Sequence, residues 1–126
     1  MIDINQCTLL GRLVREPSMH KGTNGACAWF VIAVNRRWSD KAGDPKSETA
    51  FITCKAFNGW STSLAGRAKG TPLLLTGRLR TETWEQDDIS RSQLTLVCDS
   101  VQVLQFPERD SAKKEEAVPG AKSVPF

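Results

Sequence analysis

Between Thr49 and Phe57 the chain alternates with a period of two. The odd positions are Thr49, Phe51, Thr53, Lys55 and Phe57, and the even ones Ala50, Ile52, Cys54 and Ala56. Successive side chains of a strand point to opposite faces, so this spacing gives one small apolar face and one aromatic, hydroxylated and basic face, the pattern of a half-buried strand. Residues 72–84 alternate similarly, Leu73, Leu75, Gly77 and Leu79 against Leu74, Thr76, Arg78, Arg80, Glu82 and Trp84. Residues 92–104 put Leu94, Leu96 and Cys98 on one face, and residues 7–14 and 26–35 are rich in the β-branched, aliphatic and aromatic side chains that strands favour. Five strands are therefore expected. Turn chemistry separates them: a hairpin at residues 20–25 with Gly22, Asn24 and Gly25, a polar loop at 39–47 turning on Gly43-Asp44-Pro45, and a link at 86–90 around Asp87-Asp88. Residues 61–69, with Leu64, Ala65 and Ala68 for packing and Gly70-Thr71-Pro72 as a stop, are the only helical segment expected. Three strands, a helix and two strands is the order of an OB-fold, an all-β five-stranded Greek-key barrel with one short helix. Gly11 and Gly77, inside strands, suit the sharp coiling such a barrel needs.

A length of 126 residues fits one domain. Residues 1–106 are expected to form the barrel. Residues 107–126 hold three prolines, mixed charges and no sustained period, and read as a disordered tail. The net charge of +3 lies wholly in the first part, where 13 Lys+Arg stand against 10 Asp+Glu, while residues 107–126 hold four of each. That balance permits a polyanionic partner. No run approaches the roughly 20 apolar residues of a membrane span. The first residues, Met1-Ile2-Asp3-Ile4-Asn5, have no signal-peptide pattern, so the cytoplasm (or an organelle matrix), in association with the nucleoid, is the expected location. The four cysteines Cys7, Cys27, Cys54 and Cys98 lie far apart and His20 is the sole histidine, which favours buried free thiols over a metal site or disulfides. No cofactor, metal site or catalytic constellation is expected, because neither a carboxylate cluster nor a nucleophile–base pair assembles from these residues.

Binding a single nucleic-acid strand without sequence preference needs flat aromatic faces for bases and cations for phosphates. The sequence interleaves both: Arg36-Arg37-Trp38, then Phe51, Lys55 and Phe57 on one face of a strand, then Arg78, Arg80 and Trp84 on one face of another. Phe57 alone could equally plug a barrel end, and the arginines alone could be a solvated face. Trp29 and Phe30 take opposite faces of their strand, one core and one exposed, with the choice left open; Trp60, just before the helix, reads as a packing residue.

At these residues the chain resembles the bacterial-type single-stranded DNA-binding protein family, over residues 5–106. The matching stretches are Leu10-Gly11-Arg12-Leu13-Val14-Arg15-Glu16-Pro17, Val34-Asn35-Arg36-Arg37-Trp38-Ser39-Asp40-Lys41, Lys55-Ala56-Phe57-Asn58, Gly77-Arg78-Leu79-Arg80-Thr81-Glu82-Thr83-Trp84 and Val101-Gln102-Val103-Leu104. The resemblance implies an OB-fold, a homotetramer, and coating of unwound DNA in replication, recombination and repair. It carries base stacking onto Trp38, Phe51, Phe57 and Trp84, with Arg12 joining Arg36, Arg37, Lys55, Arg78 and Arg80 as candidate phosphate contacts. Two departures stand out. Ile52 stands where the family often has a histidine at a subunit contact, and the last ten residues lack the family's acidic tip while keeping its final Pro125-Phe126, the candidate docking site for replication and repair proteins. The alternatives to a DNA coat are a replication-restart adaptor acting mainly through protein contacts and an OB-fold that binds RNA.

Overall fold

The computed structural model describes residues 2–23 and 25–105. In chain order the elements are β1 (Cys7–Leu13), β2 (Ser18–Gly22), β3 (Gly25–Ser39), β4 (Pro45–Phe57), α1 (Gly59–Leu64), β5 (Pro72–Gln86) and β6 (Ile89–Val103). The sheet runs β1-β5-β6-β4-β3-β2, and a further β1–β3 pairing closes five of the strands into a ring, with β2 added outside it on β3. Every pairing is antiparallel except β4 with β6. This is the expected OB-fold barrel. Among the described residues no helix is long and apolar enough to cross a membrane.

Alternation builds the core. Ala28, Phe30 and Ile32 of β3, Cys54 and Ala56 of β4, Leu73 and Leu75 of β5, and Leu96 and Cys98 of β6 point inward, and Leu64 of α1 is fully buried with them. Two glycines allow strands to approach where a side chain would not fit. A Cβ on Gly11 would stand 2.7 Å from the Ala33 carbonyl oxygen. One on Gly77 would collide with the backbone of Val97 and Cys98. Gly77 lies at a β-bulge: Thr76 pairs with Ser100 and Gly77 with Cys98, so Asp99 is the extra residue, and a bulge bends and twists its strand.

The structure corrects the expected boundaries in three places. Residues 18–22 form β2, a strand whose five residues are all exposed, and a strand with no buried face leaves no period in the sequence. The polar loops are also shorter than expected. β3 and β4 stay paired out to Ser39 opposite Pro45, and β5 and β6 pair until Gln86 meets Ile89. Asp87 and Asp88 make that second turn with φ of 54° and 66°, the double left-handed conformation of a tight hairpin turn. The helix begins earlier and stops sooner than residues 61–69: Ala65 is extended and Gly66 has φ of 75°, so the remaining residues form turns and irregular backbone. Phe106, Pro125, Phe126 and the expected tail lie outside the described residues.

Candidate nucleic-acid interface

Strand register brings the outward side chains of four adjacent strands onto one surface. Trp29, Val31 and Ala33 of β3 stand opposite Lys55, Thr53 and Phe51 of β4, and Cys27 stands opposite Phe57. Across the parallel pairing, Thr53 and Lys55 meet Thr95 and Val97 of β6. Arg78, Arg80, Glu82 and Trp84 of β5 meet Val97, Thr95, Gln93 and Arg91. Thr95 and Val97 alternate with the core residues Leu96 and Cys98, so although buried they belong to this outer surface. Side-chain bonds cross it: Lys55 Nζ lies 2.7 Å from Glu82 Oε1, and the Gln93 amide donates to Thr53 Oγ1 at 3.0 Å.

The aromatic residues on this surface are open to solvent. Phe51 is 66% exposed, Trp84 44% and Phe57 38%, whereas the core-facing Phe30 is 4% exposed. A phenylalanine plugging the barrel would resemble Phe30; Phe57 does not. Trp29 is 45% exposed, which settles the open choice between Trp29 and Phe30. Its ring carries the Lys55 ammonium 4.2 Å from the centroid and lies 5.5 Å from the His20 ring at a 59° tilt. Trp60, expected to pack, is instead exposed, beside Phe57, Asn58 and Gly59 at an open concavity.

The cations are arranged less simply. Lys55 is on the surface, but its side chain is only 14% exposed and its charge is held between Glu82 and Trp29. Arg80 lies 4.0 Å from Glu82, and Arg78 donates to Asp99, the bulge residue, at 3.0 Å. Arg37 shares the outward parity of Trp29 and stands opposite Ser47. Arg36 and Trp38 have the other parity: the Arg36 guanidinium sits 4.4 Å over the Trp38 ring and 3.9 Å from Glu48, on the opposite side of the β3–β4 ribbon where it extends past the barrel. Arg12 lies on β1, outside the four strands, and donates to the Gly70 carbonyl at 3.1 Å. Phe51, Phe57, Trp84, Lys55, Arg78 and Arg80 are thus brought together, with Arg37 at the edge; Arg36 and Trp38 sit across the ribbon, and Arg12 lies elsewhere.

Sequence reasoning placed Thr53 on the outward face of β4 but missed His20 and Gln93 beside it, and left Trp29 itself open. Every residue from 26 to 34 is apolar, so nothing in that strand marks its outward face. All four cysteines are free thiols, but only Cys54 and Cys98 are buried; Cys7 and Cys27 are half-buried. The neighbouring Cys98 and burial push the Cys54 thiol well above the usual range, and burial raises Cys27 against the opposing effects of Trp29 and Lys55. No group of three or more metal-ligating side chains forms among the described residues.

Residues 4–104 match the model of the single-strand binding protein family. Over 120 residues, covering 93% of this chain and 61% of the relative, the chain is 33% identical to a single-stranded DNA-binding protein of Enterococcus faecalis. It is 33% identical over 118 residues to single-stranded DNA-binding protein 4 of Streptococcus agalactiae, covering 91% of this chain and 83% of that one. Among solved structures, the Plasmodium falciparum SSB in complex with ssDNA superposes with a TM-score of 0.71 at 21% identity, over 83% of this chain and 98% of that one. The small single-stranded DNA-binding protein of Streptomyces coelicolor gives 0.65 at 24% identity, over 82% and 96%. These two likenesses concern the fold. The match over residues 4–104, with relatives a third identical along nearly the whole chain, places this chain in the single-strand binding protein family.

Proposed function

We propose that this chain binds single-stranded DNA without catalysing any reaction, coating strands exposed in replication, recombination and repair. The observation that carries the reading is the outer surface of β3, β4, β6 and β5, where Phe51, Phe57 and Trp84 stay solvent-exposed beside Arg78 and Arg80. Exposed rings next to cations suit a flexible strand, whose bases are free to stack; the bases of a duplex are already stacked on each other. Trp38 extends the same chemistry onto the protruding ribbon, where Arg36 lies over one face of its ring.

Alanine substitution of Trp84 or Trp38 tests this directly. Each is expected to weaken binding of a labelled single-stranded oligonucleotide by about 1–3 kcal/mol, with native circular dichroism retained. Unchanged affinity in both folded variants would contradict base stacking. Competition with an RNA oligonucleotide of the same sequence separates DNA from RNA binding, and displacement by DNA at lower concentration is expected.

Assembly belongs to the same reading. We propose a homotetramer, because β2 is paired only with β3 and its other edge offers unsatisfied backbone groups for a further chain. D₂ symmetry is the common tetrameric arrangement.

A further inference from the structure

Beside Trp29 the outer surface carries a cleft of about 230 Å³ that none of the expected stacking residues lines. Its walls come from three places: Arg15, Glu16, Ser18 and His20 in and before β2, Trp29 on β3, and Thr53 with Gln93 on β4 and β6. We propose that this cleft is a subsite for one unstacked base of the bound strand, with Trp29 as its flat wall. The proposal rests on the single-strand reading above and adds a place where base identity is sensed.

Three observations carry it. First, the Trp29 ring is braced before any ligand arrives, with the Lys55 ammonium 4.2 Å from its centroid and the His20 ring 5.5 Å away, while 45% of the residue stays exposed. Lys55 is itself fixed by Glu82 at 2.7 Å, so the wall is preorganised. Second, the polar lining mixes donors and acceptors. A phosphate accepts hydrogen bonds only, so it could use Arg15 but not the Glu16 carboxylate beside it, whereas a base edge carries donors and acceptors for both. The Gln93 amide nitrogen donates to Thr53 Oγ1 at 3.0 Å, which fixes the side chain and turns its carbonyl oxygen into an oriented acceptor. Third, the cleft opens on the surface shared with Phe51 and Lys55: Thr53 sits between those two residues on the outward face of β4. A strand lying on that surface passes the mouth.

The test uses the full chain and oligonucleotides carrying 5-iodouracil. Photocrosslinking followed by trypsin is expected to mark the fragment spanning residues 22–36, whose sole tryptophan is Trp29. In anisotropy titrations Trp29→Ala is expected to lower affinity at least about five-fold, the low end for losing one base–aromatic contact, and Trp29→Phe to recover most of it. The unsubstituted protein is expected to bind thymidine and deoxyadenosine oligomers with different affinities, and Gln93→Ala, at an exposed position where folding is not at stake, to narrow that difference. If the unsubstituted protein binds single strands but the fragment is unmarked, Trp29→Ala binds equally well and the two oligomers are not discriminated, the subsite is refuted while the proposed function stands. If the unsubstituted protein does not bind single strands, the function itself is refuted.

Discussion

Lys55 carries its charge into a set of internal partners rather than into solvent. Glu82 neutralises it at 2.7 Å, and the same carboxylate lies 4.0 Å from Arg80, so one acidic residue restrains two of the cations on the surface. Glu82→Gln removes that charge and is expected to tighten single-strand binding and to steepen the salt dependence by about 0.7 in the log–log slope, the effect of roughly one more phosphate contact. Oligonucleotide titration at several salt concentrations checks it; weaker binding with an unchanged slope would mean that Glu82 serves chiefly to position Lys55. Period-two alternation was enough to read Phe51, Lys55 and Phe57 onto one face, because polar and apolar positions alternate cleanly in β4. It could not reveal the Lys55–Glu82 pair, which depends on β4 meeting β6 in parallel and β6 meeting β5. Trp29 was illegible for another reason: its strand is apolar on both faces, and only the closed barrel determines which face is buried.

The strands outrun their sequence signal at each hairpin. Beyond the barrel, β3 with β4 and β5 with β6 continue as two-stranded ribbons whose residues are nearly all exposed, and a ribbon without a core face shows no hydrophobic period. Turn chemistry reports where such a ribbon reverses and says little about how far it extends. The chain order of the barrel strands and the inward face of β4 were legible, since alternation writes burial into the sequence, while the buried face of β3 and the whole of β2 were not. Two substitutions probe these elements. Gly77→Ala forces a methyl group against the Val97 and Cys98 backbone at the bulge and is expected to destabilise the fold by about 1–3 kcal/mol, read as a lower urea midpoint. Asp88→Gly relieves a left-handed residue with φ of 66° in the β5–β6 turn and is expected to raise stability by about 1 kcal/mol in the same measurement. No rise would mean that the aspartate stabilises its turn in some further way.

At the scale of the whole molecule, a modest net charge of +3 acts through placement. The arginines border exposed rings, and several are already partnered by acids, which is why the proposed binding mode assigns much of the affinity to stacking. Assembly belongs to this scale as well. Sedimentation is expected to give a tetramer at micromolar concentration, and a monomer would contradict the pairing of free strand edges. Neither the proposed tetramer nor the β2 edge on which it rests could be read from residue patterns, because that edge depends on which backbone groups remain unpaired once the barrel closes. The most direct measurement follows intrinsic tryptophan fluorescence while the protein is titrated with single-stranded and duplex oligonucleotides of one length at several salt concentrations. Single strands are expected to quench the tryptophans and bind much more tightly than duplex, with log affinity falling linearly against log salt by about 0.7 for each phosphate neutralised. Equal affinity for duplex, or a slope near zero with no quenching, would contradict single-strand binding by stacked bases on this surface.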